Sequence, residues 1–244
     1  MSDIIAFKIK SKFAHFRDIT TNSSRLSYPF PPRTTIEGYL SSLIGAEVFS
    51  GLWSPELCDI AIEIVSDNVC EITTYNFSKY DGKKPRIDEG TPVHTQIPVE
   101  LIKNKNEGYV EFCIYLRHKF DWVTKFVEDC IVNGVSSNYC YMGVSSYKAM
   151  NEFVGRFSDY STENIEEVVI DTIVPIHNIS SLDYEKDYDD ERQVSRKKVQ
   201  RLLNKDRSLK SIEQYVYGTN GKGVYVKDGN GKYTSINGKN IVWA

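Results

Sequence analysis

Runs that alternate with period two, interrupted twice by segments of helical period, constrain this chain most. In I-I-A-F-K-I-K, Ile5, Phe7 and Ile9 share one face and Ala6, Lys8 and Lys10 the other, which predicts a half-buried first strand. Three prolines follow in S-Y-P-F-P-P-R-T-T-I-E-G-Y-L, and then Ile36, Tyr39, Leu40, Leu43 and Ile44 fall on one helical face. Thr34 and Glu37 have the spacing of a capping box and Gly45 is the expected stop. S-P-E-L-C-D predicts a single turn with Ser54 as its cap.

Two alternating runs come next, I-A-I-E-I-V and V-C-E-I-T-T-Y-N-F. The connection from Ser78 to Pro92 separates the second from V-H-T-Q-I-P-V-E-L-I, so this pair reads as strands joined by an extended tip. Y-V-E-F-C-I-Y-L-R predicts another strand, and F-D-W-V-T-K-F-V-E-D-C-I-V-N-G a helix closed by Gly134. The order is α+β and fits the split β-α-β arrangement called ferredoxin-like, over residues 1–150. Residues 151–244 read as a smaller β-rich part. There E-E-V-V-I-D-T-I-V-P predicts a strand, and Y-V-Y-G, G-V-Y-V and Y-T-S-I, punctuated by Gly-Asn-Gly and Asn-Gly, predict short hairpins.

Composition removes several classes. A chain of 244 residues that is 41% apolar and 26% charged has the make-up of a globular protein, and its net charge of −3 argues against a generally basic nucleic-acid coat. The first residues lack the pattern of a secretory signal, and no run is long enough to span a membrane. The five cysteines are widely spaced and mostly lie in apolar or alternating runs, as buried thiols do, so the expectation is a reduced, cytoplasmic protein. Charge is nevertheless uneven. Residues 183–191 hold six acidic side chains against Lys186, and residues 192–210 hold eight basic ones against Asp206. The second run is either a solvated face or a phosphate-binding patch.

Motifs for dinucleotides, nucleoside triphosphates and zinc are missing, so neither cofactor nor metal is expected. His15 in F-A-H-F and His118 in L-R-H-K each stand near a cation. They read either as strand-edge histidines or as the acid and base of a metal-independent ribonuclease. Basic residues interleaved with aromatics are more informative: Phe13, His15, Phe16, Arg17, Arg25, Tyr28, Phe30 and Arg33 offer stacking surfaces and phosphate forks suited to single-stranded RNA, or else core. Arg33 precedes the expected cap Thr34, where free backbone N–H groups favour phosphate. Lys79, Lys83, Lys84 and Arg86 form a second candidate group, or a solvated hairpin tip.

Together, F-K-I-K-S-K-F-A-H-F-R and N-S-S-R-L-S-Y-P-F-P-P-R-T-T-I-E-G-Y-L-S-S-L-I-G closely resemble the N-terminal signature of CRISPR-associated family five, the RAMP-type subunits of type I Cascade complexes. H-T-Q-I-P-V-E-L-I and the glycine-containing Y-M-G-V-S-S-Y-K-A extend the resemblance over residues 4 to 150, and the proline pattern looks most like subtype I-B. The resemblance implies an RRM-like ferredoxin fold with a protruding thumb hairpin around residues 78–92. It also implies a non-catalytic antiviral subunit that caps the complex and grips the 5′ handle of the CRISPR RNA. Implied partners are that RNA, the family-seven backbone subunit, the large subunit and, through the complex, target DNA. The RNA contacts so expected are Arg17, Arg25, Tyr28, Phe30, Arg33, Thr34, Lys79, Lys83, Lys84 and Arg86. In subtype I-C the family-five protein itself cleaves precursor RNA with a tyrosine, lysine and histidine cluster. His118 and Lys119 keep that alternative open.

Overall fold

The computed structural model describes residues 2–21, 24–47, 50–81, 84–88 and 91–244. In chain order the first unit comprises β1 (Ile4–Ser11), α1 (Arg33–Ile44), β2 (Cys58–Ile64), β3 (Asn68–Ser78), β4 (His94–Asn104), β5 (Val110–His118), α2 (Asp121–Val132) and β6 (Met150–Phe157). Four of these strands form one sheet in the order β6-β1-β5-β2, every pair antiparallel. Each of β1-α1-β2 and β5-α2-β6 therefore joins parallel strands across an intervening one, and two split β-α-β units interlock. The strand that completes the sheet runs to Phe157, so the first unit reaches beyond the expected boundary at 150.

Period-two burial explains why the sheet has two differently covered faces. Ile5, Phe7 and Ile9 meet Ile36, Leu40 and Leu43 of α1 and Val123, Val127 and Ile131 of α2 in one core. Ile4, Ala6, Ala61, Cys113 and Tyr115 point the other way and are covered by Ile236 and Ile241, with Trp243 packed beside them. That cover belongs to the second part, which comprises β7 (Ser161–Ile170), α3 (Tyr184–Asp189), β8 (Val194–Leu203), β9 (Leu209–Gly218), β10 (Val224–Ile236) and β11 (Lys239–Ile241). β7, β10 and β11 make one sheet, while β8 and β9 make a second long hairpin. The β8–β9 hairpin packs on the opposite side of the molecule, against α1 and the proline segment: Phe30 meets Tyr215 and Tyr217 edge-on at 5.8 and 5.1 Å.

Three local expectations need correction. First, α1 starts at Arg33 behind Pro32, with no side-chain cap, so Thr34 is already helical and does not cap. Proline at φ −56° is preorganised for a helix start, and its missing N–H costs nothing there. Second, Gly-Asn-Gly is not a turn: β10 continues through Gly229 to Gly231, where its register with β7 shifts between Asn164↔Lys232 and Glu166↔Asp228. A Cβ on Gly229 would lie 2.3 Å from the Asn178 carbonyl oxygen, so the glycine admits a crossing backbone rather than reversing the chain. Third, Y-V-Y-G and G-V-Y-V lie in different sheets and are not a hairpin. Asn237-Gly238 does turn the chain, pairing Ile236 with Lys239 at φ of 47° and 76°.

Candidate nucleic-acid interface

β3 and β4 form a two-stranded ladder of full register, from Asn68↔Asn104 to Ser78↔His94. Its outer half is largely exposed, and no third strand pairs with it among the described residues. Its root is tied down. Ala14 and Ile102 exchange backbone hydrogen bonds of 3.1 and 2.9 Å, Arg25 N–H donates to the Pro98 carbonyl at 3.1 Å, and Glu100 N–H donates to the Arg25 carbonyl at 2.9 Å. Val99, Leu101 and Ile102 are buried there. The connection from residue 79 to 93 folds back as two short ladders, Tyr80–Asp81 with Lys84–Pro85 and Ile87–Asp88 with Thr91–Pro92. The expected tip is thus the end of a longer arm.

The expected contact residues separate into two groups. Arg17, Lys79, Lys84 and Arg86 are exposed, and none has an acidic partner within 4.0 Å among the described residues. Lys83 lies outside the described residues. Arg25 is half-buried, its guanidinium carbon 4.4 Å from the centroid of the Phe77 ring. Alternation along β3 puts Thr73, Tyr75 and Phe77 on one face, and Tyr75 shares a 2.7 Å hydroxyl contact with Tyr147. Tyr75 and Phe77 were not among the expected contacts, although the T-T-Y-N-F alternation carries their placement.

The other group is committed to the protein's interior. Tyr28, Phe30 and Arg33 are 1%, 0% and 3% exposed, which contradicts the expectation that they meet RNA. Arg33 Nε donates to Glu37 Oε1 at 2.9 Å, Nη1 to the Ala244 carbonyl at 3.0 Å, and Nη2 to the Trp53 and Cys58 carbonyls at 3.0 and 2.7 Å. A guanidinium whose fork is filled by four acceptors has no face left for a phosphate. Thr34 is half-buried and accepts from Gln200 Nε2 at 3.0 Å, away from the first hairpin.

Both candidate general acid/base histidines are interior as well. His118 is fully buried; its Nδ1 accepts from Phe120 N–H at 3.0 Å, so Nε2 carries the proton and donates to the Leu52 carbonyl at 2.8 Å. His15 is 3% exposed, with Nδ1 2.8 Å from the Glu100 carbonyl oxygen. Burial pushes the His15 imidazolium below 6.5, and the positive charges of Arg25 and Arg17 push the same way against the Glu100 hydrogen bond. Arg25 is held at the root of the arm by its backbone bonds to Pro98 and Glu100, and Arg17 follows His15 by two residues. Gly143, at φ +86°, packs on the same spot: a Cβ there would lie 2.0 Å from the His15 carbonyl oxygen.

The open face of the four-stranded sheet is not available as a stacking platform, since Ile236, Ile241 and Trp243 cover it and Arg117 lies 4.8 Å over the Trp243 ring. The arm and its root are therefore one accessible cationic and aromatic surface of the first unit. The architecture matches that of a CRISPR protein from Archaeoglobus fulgidus, with a TM-score of 0.59 over 99% of each chain at 12% identity. This chain has the fold of a CRISPR protein. A chain of a CRISPR RNA-guided surveillance complex superposes on it with a TM-score of 0.51, covering 91% of each chain at 8% identity. No protein-family model matches the sequence, and no curated protein does. Among the described residues no His, Cys, Asp and Glu side chains gather as a metal site, and no helix is long and apolar enough to cross a membrane.

Proposed function

We propose that this protein is a non-catalytic, RNA-binding subunit of a type I Cascade complex, a family-five RAMP protein whose first unit is an RRM-like, ferredoxin-like domain. The β3–β4 arm is its thumb. Exposed Lys79, Lys84 and Arg86 follow the backbone of the CRISPR RNA near its 5′ handle, and Arg17 and Arg25 hold phosphate at the root. The same arm reaches towards a neighbouring backbone subunit, with exposed Tyr80 and Ile72 available to it.

The observation that carries this reading is the arm itself, a long exposed ladder tipped with cations that have no acidic partner among the described residues, on a fold shared with a CRISPR protein. The sheet order β6-β1-β5-β2 and the N-terminal sequence block support the family. Cleavage, the alternative, gains nothing from His118, whose two nitrogens are both engaged in the interior.

The test is binding of a fluorescent repeat-derived RNA by the purified protein. Alanine at Lys79, Lys84 and Arg86 together removes three phosphate contacts, and the slope of log affinity against log salt falls by about 2, at about 0.7 per phosphate for a single strand. An unchanged slope overturns the role of the arm. A single metal-independent cut in the same RNA overturns the non-catalytic reading.

A further inference from the structure

The basic run of residues 192–210 is left over by the function proposed above, and it has become the β8–β9 hairpin. Its inner face is structural. Lys197 Nζ lies 2.9 Å from the buried Asp18 carboxylate, Tyr215 and Tyr217 pack on Phe30, and Arg192 is paired with Asp190. Further along the hairpin and around its tip, Lys198, Lys205, Arg207 and Lys210 are exposed, with no acidic partner within 4.0 Å among the described residues. The one acid of the run, Asp206, is occupied by the Ser208 hydroxyl and N–H at 2.6 and 2.9 Å.

At the tip end of the hairpin, Gln200, Leu203 and Arg207 form one wall of a cleft of about 330 Å³, and α1 and Tyr139 to Gly143 form the others. Tyr139 and Tyr141 are 51% and 40% exposed, and their rings lie nearly parallel, 29° apart with centroids at 6.3 Å. A planar base can stack on such an exposed aromatic pair. A solvated charged strand alone would need no aromatic pair beside it. Cations that continue from the mouth of an aromatic cleft have the arrangement that a single strand requires, its base stacked and its phosphates led away over positive charge.

We propose that the β8–β9 hairpin and the Tyr139–Tyr141 pair form a second grip for single-stranded nucleic acid, separate from the β3–β4 arm. One unstacked base lies on the tyrosines, and Arg207 and Lys205 hold the phosphates beside it. A duplex is disfavoured, because its bases are not free to stack on a side chain. The proposal rests on the reading of this protein as a nucleic-acid binder, and its test separates the two.

Fluorescein-labelled 12-nucleotide RNA, 12-nucleotide DNA and a 12-base-pair DNA duplex are titrated with the full chain and its variants, each checked for an unaltered melting temperature. The Tyr139→Ala/Tyr141→Ala variant should bind both single strands about 5- to 150-fold more weakly, the range for losing one stacked base. Tyr139→Phe/Tyr141→Phe should restore binding, since the ring and not the hydroxyl stacks. Lys205→Ala/Arg207→Ala should lower the salt slope by about 1.4, two phosphates' worth. Equal losses on RNA and DNA identify recognition by phosphate and base alone, whereas a larger loss on RNA adds the ribose hydroxyl. The second grip is overturned if these variants bind like wild type while the Lys84→Ala/Arg86→Ala variant is weakened, or if the duplex is preferred. No RNA binding by wild type at all would instead sink the function proposed above.

Discussion

Arg33 shows how far one side chain's role depends on what surrounds it. An arginine among prolines and aromatics reads as a phosphate fork, yet here the same planar geometry gathers three carbonyls and a carboxylate from separate segments. Burial pushes the Glu37 carboxyl up, and Arg33 opposes that shift. Arg33→Ala should therefore cost about 3–5 kcal/mol in urea denaturation, the range for breaking a buried charge pair from one side. Arg33→Lys should recover little, because one ammonium cannot reach four acceptors. The alanine variant should also lose stability as pH rises above 4.5, the ordinary value of the carboxyl. An acid whose folded value is raised binds its proton more tightly in the native state, and loss of Arg33 raises Glu37 further. A variant that melts like wild type but loses RNA affinity would reverse this assignment.

At the scale of elements, the strands and helices of the first unit were legible because each has one buried face, which imposes period two or 3.6 on the sequence. The start of α1 was not, since Pro32 can open a helix without any side-chain cap and thus leaves no signal at Thr34. Gly-Asn-Gly misled for a related reason: a glycine that reverses a chain and one that admits a crossing backbone look alike in sequence. Of the site, the cations of the arm were legible as a charged connection. The burial of Tyr28, Phe30 and Arg33 was not, because the residues that cover them, Tyr215, Tyr217 and Ala244, are nearly two hundred positions away or more. Gly143 is the loop position with least freedom. Gly143→Ala combines a left-handed φ of +86° with a Cβ placed 2.0 Å from the His15 carbonyl oxygen, so one of the two backbones must move. A loss of roughly 2–4 kcal/mol is expected in thermal or urea melting, from strain and overpacking together. A loss below about 0.5 kcal/mol, the level of an ordinary surface substitution, would mean that the loop does not seat against His15.

The second part covers the first on two sides, so the whole molecule is expected to unfold as one cooperative body. Ile236 and Ile241 close the open sheet face, and the β8–β9 hairpin closes over Phe30. The only ion pair between that hairpin and the N-terminal segment among the described residues is Lys197 with Asp18, which joins the parts where neither face is apolar. Burial by itself would raise the Asp18 carboxyl, but hydrogen bonds from Thr20 and Lys197 outweigh it and hold the group below its ordinary value of 3.8. An acid held lower in the folded state than in the unfolded one contributes stability that is fully present above about 3.8 and disappears as pH falls through the folded value. Wild type should therefore lose stability as pH falls below about 3.8, along a slope that Asp18→Asn lacks, while being the more stable of the two at pH 7. Both parts should report that loss together, in tyrosine near-ultraviolet circular dichroism and in the fluorescence of Trp53, Trp122 and Trp243, as one transition. Two separated transitions, or an acid limb identical in Asp18→Asn, would show that this contact does not couple the second hairpin to the core.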